Sequence, residues 1–178
     1  MRNLPQQLIM DFGQPLATDF VFFALLPPCE LAPEIVELAK RSRNDFGLRG
    51  PLFAPERFHI SLHGFGPYPG VPSAVVDKAM AAAASVVVPS FDVVFDRVVS
   101  FWSRKSTRPF VLRAGGEVLA LSAFHRTLGG VLGRAGLHVH AHFTPHMTLL
   151  YDRVVVPEHE IETVRWTVRD FVLIHSLQ

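Results

Sequence analysis

The sequence predicts a mixed fold of strands and helices, built as two similar halves that face each other across a cleft. Two short phrases, Phe58-His59-Ile60-Ser61-Leu62 and Pro145-His146-Met147-Thr148-Leu149, share one pattern of histidine, apolar residue, hydroxyl residue and leucine. Each follows a helical pattern, so a helix leading to a histidine strand occurs twice. Such self-similarity within 178 residues marks an internal duplication. Side chains alternate between the faces of a strand, so His59 and Ser61 project one way while Ile60 and Leu62 anchor the back, and His146 and Thr148 do the same.

Composition narrows the class. Apolar residues at 49% supply a real core and argue against disorder. A net charge of +1 and a pI near 8.1 argue against a surface that coats nucleic acid, so any RNA contact is expected to be small. Cys29 is the single cysteine, which excludes an internal disulfide, fits a reducing compartment and reads best as a small buried hydrophobe. The first residues lack a signal pattern, and no apolar run approaches the ~20 residues that span a bilayer, so a cytoplasmic protein without membrane contact is expected.

Taken in order, residues 1–17 carry Pro5, Gly13 and Pro15 without periodicity and read as an N-terminal arm. Asp19 to Leu26 is rich in aromatic and β-branched residues and stops at Pro27-Pro28, which predicts a buried strand. Leu31 to Asn44 sets Ile35, Val36, Leu38 and Ala39 against Glu34, Glu37, Lys40 and Arg41, the pattern of an amphipathic helix ended by Gly47 and Gly50-Pro51. The first histidine strand follows. A turn rich in Gly and Pro over 64–70 leads to a helix from Ser73 to Val88, stopped by Pro89.

Phe91–Phe95 and Arg97–Trp102 read as strand, with Phe110–Arg113 as its partner across the polar, basic loop 103–109. Val118, Leu121, Phe124, Leu128, Val131 and Leu132 then recur at helical spacing from Glu117 until Gly133 and Gly136. The segment 138–143 feeds the second histidine strand. Val164, Trp166 and Val168 alternate, a turn falls at Arg169-Asp170, and Phe171 to Leu177 forms the last strand.

Imidazole is the side chain whose ordinary pKa lies nearest neutrality, so a pair of them flanking a reacting group serves as acid and base in one turnover. Ser61 and Thr148 are donors suited to the non-bridging oxygens of a phosphate. Two histidines and two hydroxyls, with no carboxylate in either phrase, suit cleavage of a strained cyclic phosphodiester, which needs proton traffic and positioning more than a metal or a covalent nucleophile. One such phrase alone would read as a chance neighbour pair; two in matching contexts read as a site. No Gly-x-Ser-x-Gly phrase supports a serine-nucleophile mechanism. His138, His140 and His142 alternate onto one face of an extended segment, as a zinc set would, but no cysteine or carboxylate completes it, and a half-exposed polar strand face looks the same. His63 shares the parity of His59 and Ser61 and is expected to border the cleft; His125, His159 and His175 read as surface or structural residues.

The paired His-x-Ser/Thr-x motifs, His59-Ile60-Ser61-Leu62 and His146-Met147-Thr148-Leu149, resemble the signature of the two-histidine (2H) phosphoesterase superfamily, in its 2'-5' RNA ligase-like branch of RNA 2',3'-cyclic phosphodiesterases. Glu56-Arg57-Phe58, Phe101, Arg108 to Leu112, Phe143-Thr144-Pro145 and Phe171 to Leu177 extend the likeness. The resemblance implies an α+β, pseudo-twofold bilobal fold, with two antiparallel β-sheets, outer helices and a central cleft, as one domain over residues 18–178. It implies metal-independent, cofactor-free opening of a terminal 2',3'-cyclic phosphate to a 2'-phosphate, with His59 as proton donor and His146 as acceptor, and reversible 2'-5' ligation beside it. The partners implied are RNA ends or small cyclic nucleotides, met by a monomer. The family often has a large apolar residue where Gly64 stands and an arginine where Tyr151 stands, so Tyr151 and nearby Arg153 join Ser61 and Thr148 as substrate-binding candidates. A non-catalytic RNA- or nucleotide-binding module on this fold, or a metallohydrolase using the histidine cluster, are the alternatives.

Overall fold

A computed structural model describes residues 17–87, 90–116 and 118–177; the expected arm lies almost wholly outside them. Strand β1 (Asp19–Leu25) ends before Pro27-Pro28, and a 3-10 turn (Cys29–Leu31) leads into helix α1 (Ala32–Asp45). The buried Ile35, Leu38, Ala39 and Ser42 recur at the three- and four-residue spacing of one helical face. Gly47 adopts the left-handed conformation at φ +64°, and the Leu48 N–H returns to the Arg43 carbonyl at 2.8 Å, closing the helix as a glycine cap does. A second 3-10 turn (Pro55–Arg57) delivers β2 (Ile60–Tyr68), then α2 (Ser73–Ala83), β3 (Phe91–Ser100), β4 (Arg108–Arg113), α3 (Leu119–Arg134), β5 (His146–Asp152), β6 (His159–Val168) and β7 (Val172–Leu177).

The strands form two antiparallel sheets, one of order β2-β1-β7 and one of order β5-β4-β3-β6, in an α+β arrangement. Both histidine motifs therefore lie on edge strands, β2 in one sheet and β5 in the other. The two edges are tied together: Leu52 bridges Leu150, and the Phe53 N–H donates to the Leu149 carbonyl at 2.8 Å. The helices reach both sheets. Helix α1 brings Arg41 to 3.7 Å from Glu162 of β6, and Phe46 beyond it packs on Phe110 of β4 and His159 of β6. Helix α3, from the second half, packs on β3 of the four-stranded sheet and on β2 of the other. Buried side chains of both sheets and all three helices join in one continuous apolar cluster.

Five sequence expectations are corrected, the first being the turn over 64–70, of which β2 holds the residues as far as Tyr68. Helix α2 ends at Ala83 rather than Val88, because the Ser85 and Val86 N–H groups bond three residues back and tighten the chain out of α-helix. The segment 137–145 is irregular, so His138, His140 and His142 do not line one strand face; all three are exposed. Cys29 is exposed, set on the turn that the two prolines force. His63 is buried at 3% exposure rather than bordering the cleft, and its cause is a β-bulge.

Candidate active site

The two motifs are built alike down to a shared irregularity. Opposite β1, Phe22 pairs with Gly64 and Ala24 with Ser61, so β2 carries one extra residue, and Leu62 and His63 both turn into the core. Opposite β4, Phe110 pairs with Leu150 and Val111 with Thr148, so β5 carries the same insertion, and Leu149 and Leu150 both turn inward. His59, Ser61 and, after the bulge, Gly64 share one face; His146, Thr148 and Tyr151 share the corresponding one. Ile60 and Met147, each fully buried, anchor the strands from behind.

The imidazoles are held in matching ways. His59 Nδ1 lies 2.7 Å from the Arg57 carbonyl, and His146 Nδ1 lies 2.7 Å from the Thr144 carbonyl, each two residues upstream. A carbonyl oxygen only accepts, so Nδ1 carries the proton in both rings and Nε2 is left for chemistry. Phe22 packs against the His59 ring at 5.1 Å between centroids and Phe101 against the His146 ring at 4.9 Å. Burial pushes both pKa values down, and the accepting carbonyls work against that shift. The charges of His146 and of Arg57 lower His59 further, so the two imidazoles share one electrostatic space.

Around them, Ser61 is exposed and Thr148 half-buried, while Tyr151 is 44% exposed with its ring 5.7 Å from that of Phe53. Arg153 is exposed, one residue beyond β5. Asp152 between them is 7% exposed and turns inward, where its Oδ2 accepts the Arg49 and Gly50 N–H groups at 2.6 Å each and its Oδ1 accepts that of Val154 at 2.9 Å. Burial alone would raise its pKa, but these backbone donors together hold it below the ordinary value. Sequence reading passed over Asp152, Phe22 and Phe53, which brace the two motifs and the segment between α1 and β2. Their signal is spatial, because each is an ordinary strand or loop residue until its partners are known.

His63 does other work. Its Nε2–H donates to the His125 carbonyl at 2.9 Å, and its ring stacks on that of His125 at 3.9 Å, with the Phe143 ring stacked on His125 at 4.0 Å. Among the described residues no three His, Cys, Asp or Glu side chains are placed to hold a metal ion. A hollow of about 250 Å³ lined by Phe91, Phe124, Arg169 and Phe171 shares no residue with either motif. The paired imidazoles place the candidate chemistry at the edges of β2 and β5 instead.

Among solved structures, Escherichia coli LigT complexed with 3'-AMP matches at 23% identity and a TM-score of 0.66, over 88% of this chain and 87% of that one. LigT complexed with NADP+ matches at 23% identity and a TM-score of 0.64, over 88% and 86%. A protein of Thermus thermophilus matches at 19% identity and a TM-score of 0.58, over 89% and 94%. At these identities the likeness is one of fold. No curated protein sequence matches. The sequence pattern of the 2'-5' RNA ligase superfamily matches residues 27–178, a span that takes in both histidine strands. Twin motifs on facing sheet edges, in a chain matched over most of its length, make this protein a member of the 2'-5' RNA ligase superfamily of 2H phosphoesterases.

Proposed function

We propose that this chain hydrolyses a 2',3'-cyclic phosphate, at an RNA end or on a nucleotide, to a 2'-phosphate without a metal. The observation that carries the reading is the matched anchoring of His59 and His146, each with Nδ1–H tied to a carbonyl and Nε2 left over. The Nε2 of His146, a ring whose pKa burial pushes below its ordinary value, is the unprotonated nitrogen and takes a proton from water as the water attacks phosphorus. The bond from phosphorus to O3' breaks, and His59 gives its proton to that oxygen. The product carries a 2'-phosphate and a 3'-hydroxyl. His59 needs a proton to act, and a bound phosphodiester anion raises its pKa toward that state. Ser61 and Thr148 donate to the non-bridging oxygens, where charge accumulates.

A 5'-hydroxyl in place of the water gives a 2'-5' linkage by the same proton transfers, which is the ligation reaction and its reversal. One chain supplies both imidazoles, so a monomer suffices. No helix among the described residues is long and apolar enough to cross a membrane; the single Cys29 fits a reducing compartment, and on that ground we place the reaction in the cytoplasm. The test is incubation in EDTA with a 2',3'-cyclic nucleotide and with an oligonucleotide ending in that ring. A 2'-phosphate product is expected, with His59→Ala and His146→Ala each slowing turnover by ~10²–10⁴-fold. Absence of turnover of both substrates would leave only a binding role.

A further inference from the structure

We propose that Arg57 is the cation that neutralises the phosphoryl group held between His59 and His146, an assignment that rests on the reaction proposed above. Arg57 reaches the site in two ways. Its carbonyl fixes the His59 ring, and its guanidinium lies 3.9 Å over the centre of the Phe53 ring. Phe53 is itself pinned to the second motif, through its N–H to the Leu149 carbonyl and through ring contact with Tyr151. The guanidinium is thus positioned from both motifs at once.

The mode of holding leaves it available. Among the described residues Arg41, Arg97 and Arg113 are engaged by carboxylates, whereas Arg57 is held by an aromatic face. A guanidinium stacked on a ring keeps its N–H donors pointing outward in its own plane, the geometry that meets two oxygens of a phosphate. Its charge acts on His59, so it stands within electrostatic reach of the proton donor. Two hydroxyls alone supply dipoles to the non-bridging oxygens; Arg57 supplies the full positive charge that a metal-free site requires there.

A 2',3'-cyclic nucleoside monophosphate has a single phosphate, so it isolates this contact from any upstream phosphate of an RNA. On that substrate Arg57→Ala is expected to lower kcat/KM by about 100-fold and Arg57→Lys by about 10-fold, because a point charge replaces a planar fork. Removing the charge also moves the His59 limb of the pH profile upward, which a purely structural loss would not do. Arg57→Ala activity within about threefold of wild type on the mononucleotide overturns the assignment, as does a loss confined to oligonucleotides. If the unaltered protein turns over neither substrate, the reaction fails on its own, and inorganic phosphate remains the probe. Phosphate should shift the His59 and His146 ring resonances saturably in the wild type and about tenfold more weakly in Arg57→Ala; equal affinity overturns the proposal.

Discussion

Phe101 stands edge-on to the imidazole of His146, 4.9 Å between ring centres, while Nδ1 of the same imidazole is tethered to the Thr144 carbonyl. Such a pair is worth about 0.5–1.5 kcal/mol, which corresponds to roughly 2- to 12-fold in rate if the contact orients the ring for reaction. Phe101→Ala is therefore expected to lower kcat by that factor with KM nearly constant, and Phe101→Leu to fall between. Steady-state kinetics on a cyclic nucleotide decide it; an unchanged kcat would show that the carbonyl tether alone sets the ring.

The pH dependence follows from the directions of the two shifts. Both imidazoles are depressed in the free protein, so the bell of kcat/KM should centre below the ordinary histidine value of 6.5. The profile of kcat should lie higher, since the bound phosphate anion favours the protonated partner. The limbs report the pair rather than either residue, because the charges interact. Coincident profiles for kcat and kcat/KM would contradict this.

Asp152 accepts three backbone N–H groups through both of its oxygens, which an asparagine cannot do with one carbonyl oxygen. Asp152→Asn is expected to cost about 1–3 kcal/mol in urea unfolding and to lower activity with it, since the Arg49-Gly50 turn sets the approach of the first motif. The folded carboxyl titrates below its ordinary value of 3.8, so the stabilisation is present above that value and is lost as pH falls through the folded pKa. The wild type and the variant should differ at pH 7 and converge only in strong acid.

His125 predicts acid sensitivity of the fold. Burial first, then the charge of His63, lower its pKa to about 4, with Arg126 adding to the shift and the Leu62 backbone opposing it. The neighbouring His63 is lowered by burial and by the charge of His140, and its buried Nδ1 has no partner among the described residues. Both rings therefore take up a proton less readily in the folded protein than in the unfolded chain, which binds protons below about pH 6.5. Stability is complete above that pH and falls as pH drops toward 4, by up to about 3 kcal/mol for His125, whose side chain is 3% exposed. Urea midpoints measured from about pH 7.5 to 4.5 should decline in the wild type and decline less in His125→Phe; parallel curves would place the titration elsewhere. Gly129→Ala should also destabilise, because its Cβ would stand 2.9 Å from the His63 ring.

The elements that carry strong periodicity were legible from the residues: the apolar face of α1 around Ile35 and Leu38, that of α3 around Leu121 and Leu128, and the strands that hold the two motifs. The motifs were legible because they repeat. His63 was misplaced because strict alternation has no mark for a bulge, and one added residue carries every later side chain to the other face. His138 to His142 alternates in sequence, yet among the described residues no strand pairs with it, and its backbone is irregular. Phe53 and Asp152 meet partners about a hundred residues away in the chain, a separation that local patterns do not encode.

The reach of α1 and α3 across the division between the two halves makes the molecule an interlocked object. Severed in the β4–α3 connection, the N-terminal fragment would carry α1 without β6, to which Arg41 reaches, and the C-terminal fragment would carry α3 without β2 and β3. Neither piece could seal its own apolar surface, whereas the two mixed together could regain it by clasping. The spacing of the two imidazoles in such a body is inherited from the packing of its interior, and widening it requires disturbing that interior rather than swinging a joint.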